Sequence, residues 1–396
     1  MFLRHHLFQL SLALFLVVLE AQAINEESKR LSQETPEEGR LPDLMANVPE
    51  IAVKLRALEA TLDGALPDNT SLSERKDKVA QLGKSLWLNA RASVQKQGFL
   101  DDRLLYWQRL LVSRHLRNQS RRLALIDSEL KTSLDLFEKH SRGQTDLVWR
   151  DEKAHRVLIT GFDPFFLDRS INQSNPSGLI ALALDGKTLE VRGESIEINA
   201  VVFPVRYQDF DAGVVEAFLN PVFSGNELSL FVSISMGRDD FDLERFPGRR
   251  RSSAALGNLR EHPGGSLETP VPPFLNGEPL DGPEFLEFSL PVASMQRASG
   301  DFKVHDNREV VTLERGTFIA KSLTDLQGQT AVLGSGGGYL SNEISYRSLR
   351  LAQHLGATQP MGHLHVPRIQ GHDPAALAKI LKQTQAMLVE AVLGVE

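Results

Sequence analysis

The chain has 396 residues, a formal net charge of −7, 41% hydrophobic and 24% charged residues, and no cysteine. That length allows two domains, and the acidic balance supplies no overall basic field for nucleic acid. The lack of cysteine excludes thiol catalysis, disulfides and thiolate metal sites in one step.

At the N-terminus Arg4, His5 and His6 precede an apolar run from Leu7 to Leu19, and Ala21-Gln22-Ala23 follows as a small-x-small cleavage signature. Residues 1–23 therefore read as a secretory signal peptide, which predicts an exported chain, periplasmic or secreted. The run is too short for a comfortable membrane span, so no stable span is expected after cleavage. Residues 24–43 are polar and rich in Glu, and are expected to be a flexible leader.

Residues 44–150 carry helical periodicity. Ile51, Leu55, Leu58 and Leu62 recur at steps of three and four, as do Leu104, Trp107, Leu110 and Leu111. Ser71 followed by Glu74 predicts a capping box that opens a helix through Val79, Leu82 and Leu86. Leu123, Ile126, Leu130, Leu134 and Phe137 mark a further helix, and Arg114, Arg117, Arg121 and Arg122 read as a solvated face.

At Arg156 the texture changes. Val157 to Gly161 predicts a short buried strand, followed by strands at 196–205, 228–234, 330–333 and 361–366. Helices fit 177–184, 209–219, 344–355 and 373–392, while 247–283 and parts of 297–328 show no period. Alternating strands and helices predict an α/β class: a three-layer α/β/α sandwich with a mostly parallel sheet over 151–396, preceded by the helical domain.

In such a sheet the working site lies beyond the carboxyl ends of the strands. Four motifs sit there: Thr160 to Phe165, Ser235 to Arg238, Gly334 to Ser341, and His365 in Gly362 to Pro367. Ser341, His365 and Glu244 together supply a hydroxyl, an imidazole and a carboxylate, the parts of a nucleophilic hydrolase. Ser341 is equally readable as a helix N-cap, and Phe162 and Phe165 as core. The glycines at 334–338 lack the Lys-Ser/Thr ending of a phosphate loop. His363 and His365 share a strand face without an identifiable third ligand. No metal and no cofactor are expected.

From about residue 156 to 392 the chain resembles pyroglutamyl peptidase I, the pyrrolidone-carboxylate peptidase family of cysteine peptidases. The family's T-G-F-x-P-F and N-P-S motifs are similar to Thr160–Phe165 and Asn175-Pro176-Ser177, and its G-R-x-x-(I/F)-x-x-E-R block to Gly237–Arg245. Its D-G-P and L-P stretches are similar to Asp281-Gly282-Pro283 and Leu290-Pro291. Its nucleophile motif matches Gly336–Ser341-Asn342 through Tyr346, and its G-x-(I/L)-H-V-P matches Gly362–Pro367.

The resemblance implies that Ser341 stands in place of the catalytic Cys, with His365 as general base and acid and Glu244 orienting it. It implies that Phe162 and Phe165 wall a lactam pocket; for such a hydrolase, backbone N–H groups near Leu340 to Asn342 are natural oxyanion donors. Two departures bear on substrate. Phe166-Leu167 replaces Gly-Gly after the opening motif, and Ile234 falls by spacing at the family's pocket Gln. A site lacking one such hydrogen bond loses discrimination.

Two readings of function follow. One is a peptidase-type hydrolase removing an N-terminal pyroglutamyl or related blocked residue from peptides through Ser341, His365 and Glu244. The other is a catalytically silent binding module of the cell envelope, with a protein partner or a second copy docking through the helical domain.

Overall fold

The computed structural model describes residues 31–225 and 227–394; the expected signal segment at 1–23 lies outside them. The N-terminal region is a bundle of α1 (Leu41–Asn47), α2 (Pro49–Ala65), α3 (Leu72–Gln97), α4 (Arg103–Leu123) and α5 (Asp127–Ser141). The capping box forms as its spacing predicts. Glu74 N–H donates to Ser71 Oγ at 3.3 Å and Ser71 N–H donates to Glu74 Oε2 at 3.0 Å. The same helix stops at Gly98, whose φ of 72° is the left-handed C-cap conformation that glycine adopts freely.

The stretch expected to be a flexible leader is ordered from Leu31 onward, and this corrects the compositional reading. Glu37 receives hydrogen bonds from Tyr106 Oη at 3.0 Å and Arg206 Nε at 2.6 Å, and Glu38 from Arg117 Nε at 3.0 Å. Both acids are 1% exposed, and Leu41 and Leu44 enter the core. A run of Glu looks solvated when read locally; here each acid meets a cation or phenol contributed from far along the chain. Arg117 is accordingly not part of a solvated face.

The second region holds a seven-stranded sheet in the order β2-β3-β1-β4-β12-β5-β8. The strands are β1 (His155–Phe162), β2 (Lys187–Val191), β3 (Glu194–Phe203), β4 (Leu230–Met236), β5 (Phe241–Glu244), β8 (Val304–Asn307) and β12 (Met361–Val366). The central strands β3, β1, β4 and β12 are parallel, β2 is antiparallel to β3, and β5 is antiparallel to β12. The fold is therefore α/β with a mostly parallel sheet, as the alternation predicts.

Short antiparallel pairs lie outside the sheet: β6 (Phe274–Leu275) with β7 (Glu278–Pro279), and β10 (Gly316–Ile319) and β11 (Ala331–Leu333) on either side of β9 (Glu309–Thr312). The strand predicted at 330–333 thus belongs to a three-stranded sheet of its own rather than to the central one.

Helix α6 (Pro176–Leu184) packs on β1, β3 and β4 and meets both α3 and the C-terminal helix at Pro374–Leu393. The helix at Leu340–Leu355, here α10, packs on β4 and β12 and against Val214–Ser224, here α8; α7 (Tyr207–Asp211) and α9 (Val292–Met295) are short. Among the described residues no helix is long and apolar enough to cross a membrane.

The bundle and the sheet share one continuous apolar core. Phe137 and the leucines buried there each contribute roughly 1.5–3 kcal/mol on leaving water. Polar contacts fix the docking angle. Trp87 Nε1–H donates to Asp185 Oδ2 at 3.1 Å, and Arg109 and Arg142 hold the two oxygens of Asp163 at 2.7 and 2.8 Å. Asp163 lies between Phe162 and Phe165, so the bundle grips the loop that leaves the end of β1.

Candidate active site

Antiparallel pairing of β5 with β12 sets Leu243 opposite Leu364 and Asp242 opposite His365, which leaves Glu244 one residue beyond the pair. From there Glu244 Oε1 accepts a hydrogen bond from His365 Nδ1 at 2.6 Å. The carboxylate is 1% exposed. Its other oxygen accepts from Asn307 Nδ2 at 2.8 Å, and the same amide donates to the Ser335 carbonyl at 3.0 Å. Burial pushes the Glu244 carboxyl above its ordinary range, against the pull of His365, and nearby Asp242 adds to the push. A carboxylate on Nδ1 fixes the tautomer that leaves Nε2 as the acceptor on the other side of the ring.

The ring of His365 is wedged from two sides. A Cβ on Gly237 would lie 2.5 Å from His365 Cβ and 2.8 Å from its Cγ, so the Gly237-Arg238 motif is glycine because the ring occupies that space. On the other side His363 stands edge-on, with ring centroids 4.8 Å apart. Both nitrogens of His363 are engaged by hydroxyls, Nδ1 with Ser233 Oγ and Nε2 with Ser235 Oγ, each at 2.8 Å. Burial, and then the nearness of His365, hold the His363 imidazole well below its ordinary range, so it is neutral packing. Among the described residues no group of three side chains is placed to hold a metal ion.

Ser341 lies in the first turn of α10, behind a glycine loop closed by two hydrogen bonds between Gly334 and Gly337, at 3.0 and 2.9 Å. The N-cap of the helix is Tyr339, which makes no side-chain capping bond. The N-cap reading of Ser341 is therefore replaced. Its Oγ–H donates to the Gly336 carbonyl at 3.2 Å, and among the described residues it makes no hydrogen bond with His365. Asn342, one residue on, clamps Gly248 with two bonds of 2.9 and 2.7 Å and so anchors the turn. The first N–H groups of a helix have no intrahelical acceptor, which leaves those of Leu340, Ser341 and Asn342 facing outward from the turn.

Ser341 and His365 line one cavity of about 760 Å³, together with Phe162, Phe165 and Leu340. Phe162 is 3% exposed and stacks on Phe210 at 6.3 Å, so it belongs to the core and to the cavity wall at once. Phe165 lies 4.4 Å from Phe166 and 6.3 Å from Tyr339, forming an aromatic side to the cavity. Phe166 has a φ of 61°. The backbone there keeps a left-handed turn that suits glycine, at a cost of about 1–2 kcal/mol for an L side chain. Leu167, by contrast, is core.

Ile234 does not line the cavity. It is fully buried, opposite Leu364 in the register, while Ser235 and Met236 reach the cavity. Ile234 sits deeper along β4, inside the core and short of the strand end that reaches the cavity, which corrects its substrate-binding assignment. The sequence reading also missed Asn307, Ser335 and Tyr339. Tyr339 stands inside the glycine motif and was the most accessible of the three, whereas Asn307 sits on a four-residue strand in a stretch without period.

The architecture and this cavity define an α/β protein with a buried His–Glu pair, a serine and a helix N-terminus at one opening beyond the sheet. The chain belongs to the PA0049 family. The model of the PA0049 C-terminal domain matches residues 156–283 and 301–370, and that of the PA0049 N-terminal domain matches residues 19–138. The chain is 32% identical over 217 residues to the uncharacterized protein PA0049 of Pseudomonas aeruginosa, a stretch covering 49% of this chain and 39% of that protein.

Solved structures similar to this chain include a mutant pyrrolidone carboxyl peptidase from Pyrococcus furiosus, at 19% identity and a TM-score of 0.42 over 61% of this chain and all of that one. A second, of the same peptidase and its cysteine-free mutant, is 20% identical with a TM-score of 0.41, over 60% of this chain and 98% of that one.

Proposed function

We propose that this protein is a hydrolase that removes an N-terminal pyroglutamyl or related blocked residue from peptides, with Ser341 as nucleophile, His365 as base and acid, and Glu244 as the group that holds the imidazole. The observation that carries the reading is the 2.6 Å contact between His365 and Glu244 at the edge of the cavity that also contains Ser341. In the reaction Ser341 Oγ turns from the Gly336 carbonyl toward His365 Nε2, passes its proton there and bonds to the scissile carbonyl carbon. The developing oxyanion is met by first-turn N–H groups of α10. His365 then gives the proton to the leaving amine as the C–N bond breaks, and water repeats the sequence to release the acyl group. The sequence of residues 1–23 makes an exported location part of the proposal.

A second reading is favoured by one observation: the hydroxyl of Ser341 is engaged with Gly336 and not with the imidazole. On that reading the cavity binds a blocked peptide end without turnover. Incubation of the purified protein with a fluorogenic pyroglutamyl substrate separates the two. The hydrolase reading expects release that disappears in Ser341→Ala and in His365→Ala. Saturable binding of the pyroglutamyl peptide with no release by the unmodified protein overturns it in favour of the binding module.

A further inference from the structure

The cavity lining carries more cationic than anionic side chains, in a chain whose net charge is −7. Its lining carries Arg169, Arg238 and Arg368 against a single carboxylate, Glu309. The three arginines come from the loops that follow β1, β4 and β12, and hydrogen bonds staple those loops together. Gln173 donates to the Ile369 carbonyl at 3.1 Å and accepts from Gly371 N–H at 3.0 Å, and Ser174 N–H donates to the Gly371 carbonyl at 2.8 Å. Arg368 N–H donates to the Arg238 carbonyl at 2.6 Å. The cations are thus mounted on one joined rim.

Their own partners are weak or missing. Arg169 lies 5.1 Å above the Phe166 ring and meets no carboxylate among the described residues. Arg238 and Arg368 lean on Asp242 at 3.4 Å and Asp239 at 3.0 Å while remaining 61% and 60% exposed. The Arg368–Asp239 pair is exposed on both sides, and pairs of that kind exchange partners at little cost. The N-terminus of α10 adds partial positive charge at the same opening, and a cavity with low-dielectric walls focuses that field on whatever enters.

We propose that the cavity selects peptides carrying a carboxylate close to the bond that the site addresses, and that Arg169 and Arg368 receive it. This deepens the function proposed above by naming its substrate class: acidic peptides, with the carboxylate on a side chain or at a nearby C-terminus.

The test uses the full chain with His365→Ala, so that no turnover intrudes, and three probes: pyroglutamyl-glutamyl-alanine amide, pyroglutamyl-lysyl-alanine amide and pyroglutamyl-alanyl-alanine as the free acid. Titration calorimetry at low ionic strength is expected to show at least one acidic probe binding roughly threefold to tenfold tighter than the lysyl probe, with the difference shrinking toward unity in about 0.5 M salt. Preference for the first probe assigns a side-chain carboxylate; preference for the third assigns a chain terminus. The joint substitution of Arg169→Gln and Arg368→Gln should collapse the preference, whereas Arg121→Gln, at an exposed position of α4 outside the cavity lining, should leave it intact. Equal affinity for all three probes, or a preference that survives loss of both arginines, overturns the proposal. Charge-selective binding without cleavage by the unmodified protein would sink the hydrolase reading alone; cleavage of all three probes at equal rates would sink the charge selection alone.

Discussion

Asn307 ties Glu244 to the glycine loop: one amide nitrogen reaches Glu244 Oε2 at 2.8 Å and the Ser335 carbonyl at 3.0 Å. The carboxylate that holds His365 and the loop that presents Ser341 are therefore indexed to each other through a single side chain. Asn307→Ala should leave the fold intact and lower kcat by about 10- to 100-fold, the range seen when a supporting partner of an active group is removed. Asn307→Asp should do more harm, because a second carboxylate beside Glu244 raises its proton affinity further. A pH profile of kcat/KM checks this. The acidic limb should move to higher pH in Asn307→Asp, and a merely structural role for Asn307 would leave that limb in place.

Gly237 brings the backbone beyond β4 directly against the His365 side chain. A methyl group there meets the His365 side chain at 2.5 to 3.2 Å, with the strand pairing of β4 and β12 preventing retreat. Gly237→Ala should push the ring off Glu244 and cost most of the hydrolytic activity, while unfolding free energy falls by only about 1–3 kcal/mol, the usual cost of overpacking. Denaturant unfolding and steady-state kinetics on the same preparation measure the two effects. Loss of activity in proportion to loss of folded protein would contradict this account.

What the sequence made legible was governed by local rules. The capping box at Ser71 and Glu74, the apolar run of α6, the apolar period of the C-terminal helix, and the buried runs of β1 and β12 all rest on the pattern within one element. What it hid depends on distant partners. Strands β5 and β8 are four residues long and carry Asp242, Glu244, Asp306 and Asn307, so nothing in their composition marks them as sheet. Glu37 and Glu38 read as solvated because Arg206 and Arg117 are far away in sequence.

At the site, Ser341, His365 and Glu244 are joined by their residue types at strand ends and by resemblance to a family rather than by any spacing rule. The structure places the last two in contact and the first on the same cavity. Ile234 lies deeper along β4 than Ser235 and Met236, and that depth depends on the packing around the strand rather than on spacing within the motif.

Asp102 gives a stability test that reaches the cavity from the helical bundle. Its buried carboxylate accepts from Ser174 Oγ and from Asn175 N–H at 2.9 Å, and Asn175 lines the cavity. Burial pushes this carboxyl up to about 7, against the hydrogen bonds that favour its charged form. A raised acid has a definite sign. Between the ordinary unfolded value near 4 and about 7, the unfolded chain gives up the proton while the folded one keeps it, so stability falls as pH rises through that window. The loss from this one group is on the order of 2–4 kcal/mol, complete above about pH 7. Asp102→Asn should flatten the curve between pH 5 and 7 in urea unfolding. An unchanged slope in the variant would assign the pH dependence elsewhere.

Ser341→Cys probes the spatial relation on which the hydrolase reading rests. The chain has no cysteine of its own, so any thiol chemistry in the variant reports from this position alone. A thiol is a poor donor to the Gly336 carbonyl that now holds the hydroxyl, which frees the side chain to swing toward His365. There the imidazole, held by Glu244, and the first turn of α10 both favour a thiolate, so the thiol should ionise below its ordinary value of about 8.5. Alkylation by iodoacetamide near pH 6.5 should then run at least about tenfold faster than for an unperturbed cysteine, and His365→Ala in the same chain should remove that advantage. Equal alkylation rates with and without His365 would mean that position 341 and the imidazole act on separate chemistry despite sharing a cavity.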